Sequence, residues 1–223
     1  MSNKLYNLVF IGPPGGGKGT EIQLLQKKKY NKISSGDLLR NEISKESKLG
    51  KTIQNDMNNG ILIKDSIVSK LIDNLLKEHN HGLIFDGFPR TIKQAKKLDK
   101  ILKNNNIKLD AVLHLDTPDS LIIKRITGRY ICKNCGATYN KFGVSPKKKG
   151  ICDVCKGSVF ITRPDDNIDV VKKRLKDYHE EEKELLDYYN KKNIVYRIDG
   201  SQGDQKITHK DVVKVFSILK KKI

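Results

Sequence analysis

Residues 12–20 read Gly-Pro-Pro-Gly-Gly-Gly-Lys-Gly-Thr, so that Gly15, Gly16, Gly17 and Gly19 surround one cation, Lys18, and precede one hydroxyl, Thr20. Backbone without a Cβ can close on a polyphosphate with its N–H groups, and a helix starting here would turn its positive end toward the same anion. The strict phosphate-loop pattern places Ser or Thr directly after the lysine; here Gly19 intervenes, which makes the loop a variant. A second set is sulfur: Cys132-x-x-Cys135 and Cys152-x-x-Cys155, with sixteen residues between the pairs. Two such knuckles can supply four thiolates to a tetrahedral Zn²⁺ with no open position, a structural rather than catalytic ion. Gly136 and Gly157 stand where knuckle turns commonly need glycine. Two disulfides, disfavoured in a reducing compartment, or free thiols are the alternatives, and a zinc-ribbon nucleic-acid module is the functional rival. The third set is arginine: only seven of 44 basic residues are Arg, at 40, 90, 125, 129, 163, 174 and 197. A guanidinium fork grips two phosphate oxygens at once, which a lysine point charge cannot do.

The elements that must position these groups are legible as apolar runs. Leu5 to Ile11 reads as a buried strand leading into the glycine loop, and Glu21 to Gln26 begins a helix with Ile22, Leu24 and Leu25 on its apolar face. Further runs at Leu83 to Phe85, Ala111 to Leu115 and Ile194 to Ile198, separated by helical stretches, predict a parallel sheet with crossover helices. Ligands then bind beyond the carboxyl ends of the strands. Ser34 to Ile63 reads as a mostly helical insertion whose last helix ends near Gly60, and Gly128 to Asp166 as short turns rich in Cys, Gly and Lys. Lys172 to Tyr189 is strongly helical, with Val171, Leu175, Tyr178, Leu185 and Leu186 as its contacts. The 223 residues suffice for one domain with inserted lobes. The net charge of +18 comes mostly from scattered lysine, which favours a solvated surface over dedicated nucleic-acid binding. No apolar stretch approaches the ~20 residues of a membrane span, and Met1 to Lys4 lead straight into the first strand, so a soluble, cytoplasmic protein is expected. The five histidines form no catalytic or ligand pattern and read as structural or surface residues.

The glycine loop resembles that of the adenylate kinases, and the resemblance runs on, in order, through Ile33 to Arg40, Phe85 to Thr91, Gln94, Arg125 to Arg129, Thr162 to Asp166 and Arg174. It spans roughly Leu5 to Gly200 and implies an α/β P-loop nucleotide kinase with a central parallel sheet flanked by helices, a helical monophosphate-binding lobe and a small zinc-ribbon-like lid. The implied division is a core of 1–33, 64–127 and 167–223, a lobe of 34–63 and a lid of 128–166. The implied reaction is MgATP plus AMP in reversible exchange with MgADP plus ADP. Residues Gly15 to Thr20, Arg125, Arg129 and the Asp199-Gly200 loop would hold ATP. Ser35, Arg40, Gly87, Arg90, Gln94, Arg163 and Arg174 would hold AMP. Lys18, Arg90, Arg125, Arg129, Arg163 and Arg174 would carry catalysis, with Mg²⁺ held through water near Thr20 and Asp86. A strand-end residue capping a turn is the lesser reading of Asp86, and Asp165 and Asp166 read equally as partners of lid arginines or caps of the helix near Asn167. The family usually has Thr where this chain has Ser35. Kinases using GTP as donor, or UMP or CMP as acceptor, are the neighbouring alternatives; Gln94 and the long lid favour AMP. A monomer is implied.

Overall fold

A computed structural model describes residues 5–59, 61, 63–201 and 205–221 of the chain. Strands β1 (Leu8–Ile11), β2 (Asn31–Ser34), β3 (Leu83–Asp86) and β4 (Ala111–Asp116), with β8 (Val195–Asp199) at the far edge, form one sheet in the order β2-β3-β1-β4-β8. All four pairings are parallel, with Leu8 of β1 opposite Ile84 on one side and Ala111 on the other. The strands alternate between two cores: Val9 and Ile11 pack with Phe85, Ile72, Leu98 and Leu185, while Leu8 and Phe10 pack with Ile22, Leu25, Leu113 and Val212. Apolar side chains on both faces explain why the central strands read as unbroken hydrophobic runs.

Several boundaries differ from the sequence reading. β1 begins at Leu8 rather than Leu5, because side chains take over the pairing just before it. The Asn7 N–H donates to Asp110 Oδ2 (2.8 Å), Asn7 Nδ2 donates to the Lys108 carbonyl (2.9 Å), and Asn7 Oδ1 accepts from the Leu83 N–H (3.0 Å). The last strand lies one residue later than its apolar run. β2 has no apolar run at all: only Ile33 and Ser34 are buried, as an edge strand requires. Gly60 and Met1 to Lys4 lie outside the described residues.

The helices are α1 (Lys18–Gln26), α2 (Ser35–Ile43), α3 (Lys48–Asn58), α4 (Asp65–Leu76), α5 (Ile92–Asn104), α6 (Asp119–Thr127), α7 (Ile168–Asn190) and α8 (Gln205–Lys221). α7 starts before its apolar pattern does, because Asn167 Oδ1 accepts from the Asp169 N–H at 2.8 Å and caps it. The Cys-rich stretch is more ordered than short turns. β5 (Arg129–Cys132) pairs antiparallel with β6 (Thr138–Asn140) and β7 (Phe160–Ile161), and the rings of Tyr130, Tyr139 and Phe160 meet with centroids 5.5–5.8 Å apart. Among the described residues, those rings, two buried cysteines and Ala137 make up the core of this small sheet. No helix among the described residues is long and apolar enough to cross a membrane.

Candidate active site

The parallel arrangement delivers every functional segment to one edge. The glycine loop follows β1, Ser35 follows β2, Asp86 ends β3, Asp116 ends β4 with Thr117 after it, and Gly200 follows β8. A cleft of about 1400 Å³ opens there. It is lined by Gly15 to Thr20, Ser35, Gly87, Gln94, Gly200, Asp86 and the six arginines 40, 90, 125, 129, 163 and 174. Arg197 stands apart, exposed and paired with Asp116.

Gly17 caps α1 with a φ of 101°, and Gly15 has a φ of 76°, both in the left-handed region. A Cβ at Gly15 would stand 2.6 Å from Ile126 Cγ1, so the loop must touch α6 there. Gly15→Ala combines that overlap with a strained φ and is expected to raise KM for the triphosphate by about tenfold or more. Steady-state titration of the donor checks this; an unchanged KM would place the loop away from it.

Lys18 Nζ folds back to donate to the carbonyls of Gly12 (2.5 Å) and Pro13 (2.8 Å). Burial pushes its pKa down to about 8, with Asp86 opposing and Arg90, Arg174 and Arg129 reinforcing the shift. Four cations thus converge on one point, a place built for a multiply charged anion. Arg125 Nη1 donates to the Gly200 carbonyl (3.1 Å), and the Gly200 N–H donates to the Asp116 carbonyl (2.7 Å). Thr117 Oγ1 reaches the Gly16 carbonyl at 3.1 Å, so the ends of β4 and β8 brace the glycine loop. Arg129 makes a two-pronged pair with the buried carboxylate of Asp166, which settles that residue as an arginine partner; Asn167 does the capping. The Asp165 side chain lies outside the described residues.

On the other side of the cleft, Arg40 donates to Asp37 (2.6 Å), Arg90 Nε donates to the Gly87 carbonyl (2.9 Å) and Ser35 Oγ donates to the same carbonyl (2.8 Å). Gln94 is not on a solvated helix face: it is 4 % exposed, and both ends of its amide are bonded. Lys32, which no motif announced, sits 2.5 Å from Asp37 and 4.0 Å from Asp86. Burial would raise the Asp37 pKa, but the Lys32 charge and the bonds from Lys32 and Arg40 outweigh it and hold it at about 2. Of the histidines, His114 pairs with Glu182 (2.6 Å), His209 with the buried Glu21 (3.0 Å) and His179 with Asp119 (2.9 Å), while His79 and His81 lie on the surface.

The four cysteine sulfurs lie within 4.8 Å of one another, with Cys132 to Cys155 at 3.5 Å and Cys135 to Cys152 at 3.6 Å. A tetrahedron with Zn–S bonds of about 2.3 Å has edges of about 3.8 Å, so the donor set fits Zn²⁺ in both chemistry and spacing. The separations are far above the ~2.05 Å of a disulfide, and all four are free thiols.

A glycine loop between the first strand and first helix of a parallel sheet, with arginines gathered over it, defines a P-loop nucleotide kinase. The adenylate kinase family model matches residues 10–194. The chain is 42% identical over 214 residues to the adenylate kinase of Caldicellulosiruptor bescii, covering 95% of this chain and 99% of that one. It is 44% identical over 206 residues to that of Paramagnetospirillum magneticum (91% and 94% covered), and 41% over 200 residues to that of Archaeoglobus fulgidus (88% and 91%). The chain belongs to the adenylate kinase family.

Proposed function

We propose that the chain transfers a phosphoryl group reversibly between MgATP and AMP, giving MgADP and ADP. The observation that carries this reading is the gathering of Lys18 and six of the seven arginines around one cleft, with the buried amide of Gln94 at its acceptor end. An acceptor phosphate oxygen is already anionic at neutral pH, so no strong base is needed; catalysis is alignment and charge neutralisation. The loop N–H groups of residues 15–20 and Lys18 hold the donor phosphates, and Arg125 with Gly200 borders the donor base. Arg40 and Arg90 clamp the acceptor phosphate, Gln94 reads its base, and Ser35 holds the Gly87 carbonyl beside it. Arg129, Arg163 and Arg174 neutralise the transferring group. Thr20 and Asp86, oxygen donors at the loop's edge, would orient Mg²⁺ through its water shell, and the ion would supply positive charge against the donor phosphates. Cys132, Cys135, Cys152 and Cys155 would hold Zn²⁺, which would supply folding stability to the lid and no catalytic charge.

In this reading residues 34–63 are the monophosphate lobe, 128–166 the lid, and 1–33, 64–127 and 167–223 the core. The enzyme works as a cytoplasmic monomer with ATP, AMP and ADP as its partners and no dedicated nucleic-acid site. A coupled assay crossing a panel of triphosphates with a panel of monophosphates tests the assignment. Preference for UMP or CMP as acceptor, or for GTP as donor, would move the chain to a neighbouring specificity.

The position of Lys18 also sets a pH dependence. With a pKa of about 8 in the free protein, the amine is neutral at pH 9, whereas a bound polyphosphate favours its charged form. Donor binding therefore takes up a proton above pH 8, and affinity falls by up to about tenfold per pH unit beyond it. Calorimetry in buffers of different ionisation enthalpy should register uptake at pH 9 and little at pH 7. A donor Kd flat across this range in folded protein would separate Lys18 from the phosphates.

A further inference from the structure

Gln94 lies buried between two partners whose roles cannot be exchanged. Its Oε1 accepts from the Arg90 backbone N–H at 2.7 Å, and its Nε2 donates to Asp65 Oδ1 at 2.7 Å. A backbone N–H only donates and a carboxylate only accepts, so together they dictate which end of the amide is oxygen. The reversed amide would set NH₂ against N–H and carbonyl against carboxylate at a site 4 % exposed, leaving four polar groups unpaired. Asp65 is itself held. It opens α4, and its carbonyl accepts from Ser69 Oγ at 2.5 Å.

Each amide atom keeps one position for a ligand: a lone pair on Oε1 and an N–H on Nε2. Adenine offers the matching order, a donor at N6 and an acceptor at N1. Guanine offers the reverse, an acceptor at O6 and a donor at N1–H. We infer that Asp65 is a specificity-determining positioning residue, which locks the Gln94 amide in the polarity that accepts adenine and refuses guanine. It does not line the cleft and acts through Gln94, so the inference rests on Gln94 being the base-reading residue.

The test compares kcat/KM for AMP and GMP at saturating MgATP in the full chain, with direct binding of each monophosphate by calorimetry. Asp65→Ala removes the acceptor while the Arg90 N–H still holds Oε1, so the AMP to GMP ratio should fall partially, by about tenfold or more. That fall should come through KM for AMP, with KM for MgATP unmoved. Asp65→Ser, which suits a helix start but falls one bond short of Nε2, repeats the test should the alanine variant fold poorly. Asp65→Asn, which keeps an acceptor at the same place, should restore most of the ratio. A purely structural role would lower melting temperature and kcat together and leave the ratio alone. If Gln94→Ala collapses the ratio while Asp65→Ala and Asp65→Ser leave it intact, the inference is wrong and the reading of Gln94 survives. If Gln94→Ala leaves the ratio intact, both are overturned.

Discussion

Lys18→Ala and Arg90→Ala are each expected to lower kcat/KM by about a thousandfold or more, because each deletes a charge whose position complements the transferring phosphoryl group, and the neighbouring cations stand at other positions. Stability should move the other way for Lys18. Its folded pKa of about 8 lies below the ordinary value of 10.5, so both states are protonated at pH 7 and the burial penalty on the charge is fully present there. It fades only as pH rises from the folded toward the unfolded value. The nucleotide-free Lys18→Ala protein should thus melt no lower than the parent at pH 7 while being almost inactive. Arg90→Lys should be severely impaired as well, since Arg90 donates from Nε to the Gly87 carbonyl and a lysine point charge cannot reproduce the planar, two-pronged fork of a guanidinium. Turnover within tenfold of the parent in Arg90→Lys would show that a point charge suffices, and near-normal turnover in either alanine variant would remove the phosphate assignment.

The second large effect concerns metal. The purified protein should carry close to one zinc per chain on Cys132, Cys135, Cys152 and Cys155. The four sulfurs lie close enough to share one ion, and apart from the cysteines the core of the lobe is three aromatic rings and Ala137, so bound metal should supply much of its folding energy. Chelation, or Cys132→Ser with Cys152→Ser, should lower the melting temperature of the lobe by roughly 10 °C or more. Residual kinase activity should persist in the cold. Metal-free protein prepared without chelator, with four titratable thiols and the same melting curve after added zinc, would dispose of the site. Complete loss of activity in a metal-free but folded lobe would show that the ion does more than hold shape.

Much of the site could be read before any fold was known, because its chemistry is carried in short contiguous segments. The glycine loop, the two knuckles and the scarce arginines are informative by type and spacing alone. The central strands were equally readable, since burial on both faces writes itself as an unbroken apolar run. The edge strand β2 was not, because its half-exposed Asn31 and Lys32 leave no run to find. The C-terminal helix α8, the ordered sheet beneath the knuckles and the exact start of β1 also lay beyond pattern, the last because Asn7 and Asp110 meet across about a hundred residues of chain.

What the sequence by itself determined was the class of chemistry: a glycine loop and a lysine suited to phosphate, four sulfurs spaced to suit a metal, and arginines scarce enough for their places to be informative. What only the tertiary structure decided was the state of each group. It set Arg129 against Asp166, placed Lys32 between Asp37 and Asp86, gave His114 and His209 carboxylate partners, and fixed the polarity of Gln94 through Asp65, 29 residues away. The physical reason is range. Residue type and local spacing survive in a linear string, whereas a hydrogen bond works over a few tenths of an ångström and exists only once separate helices and strands have docked.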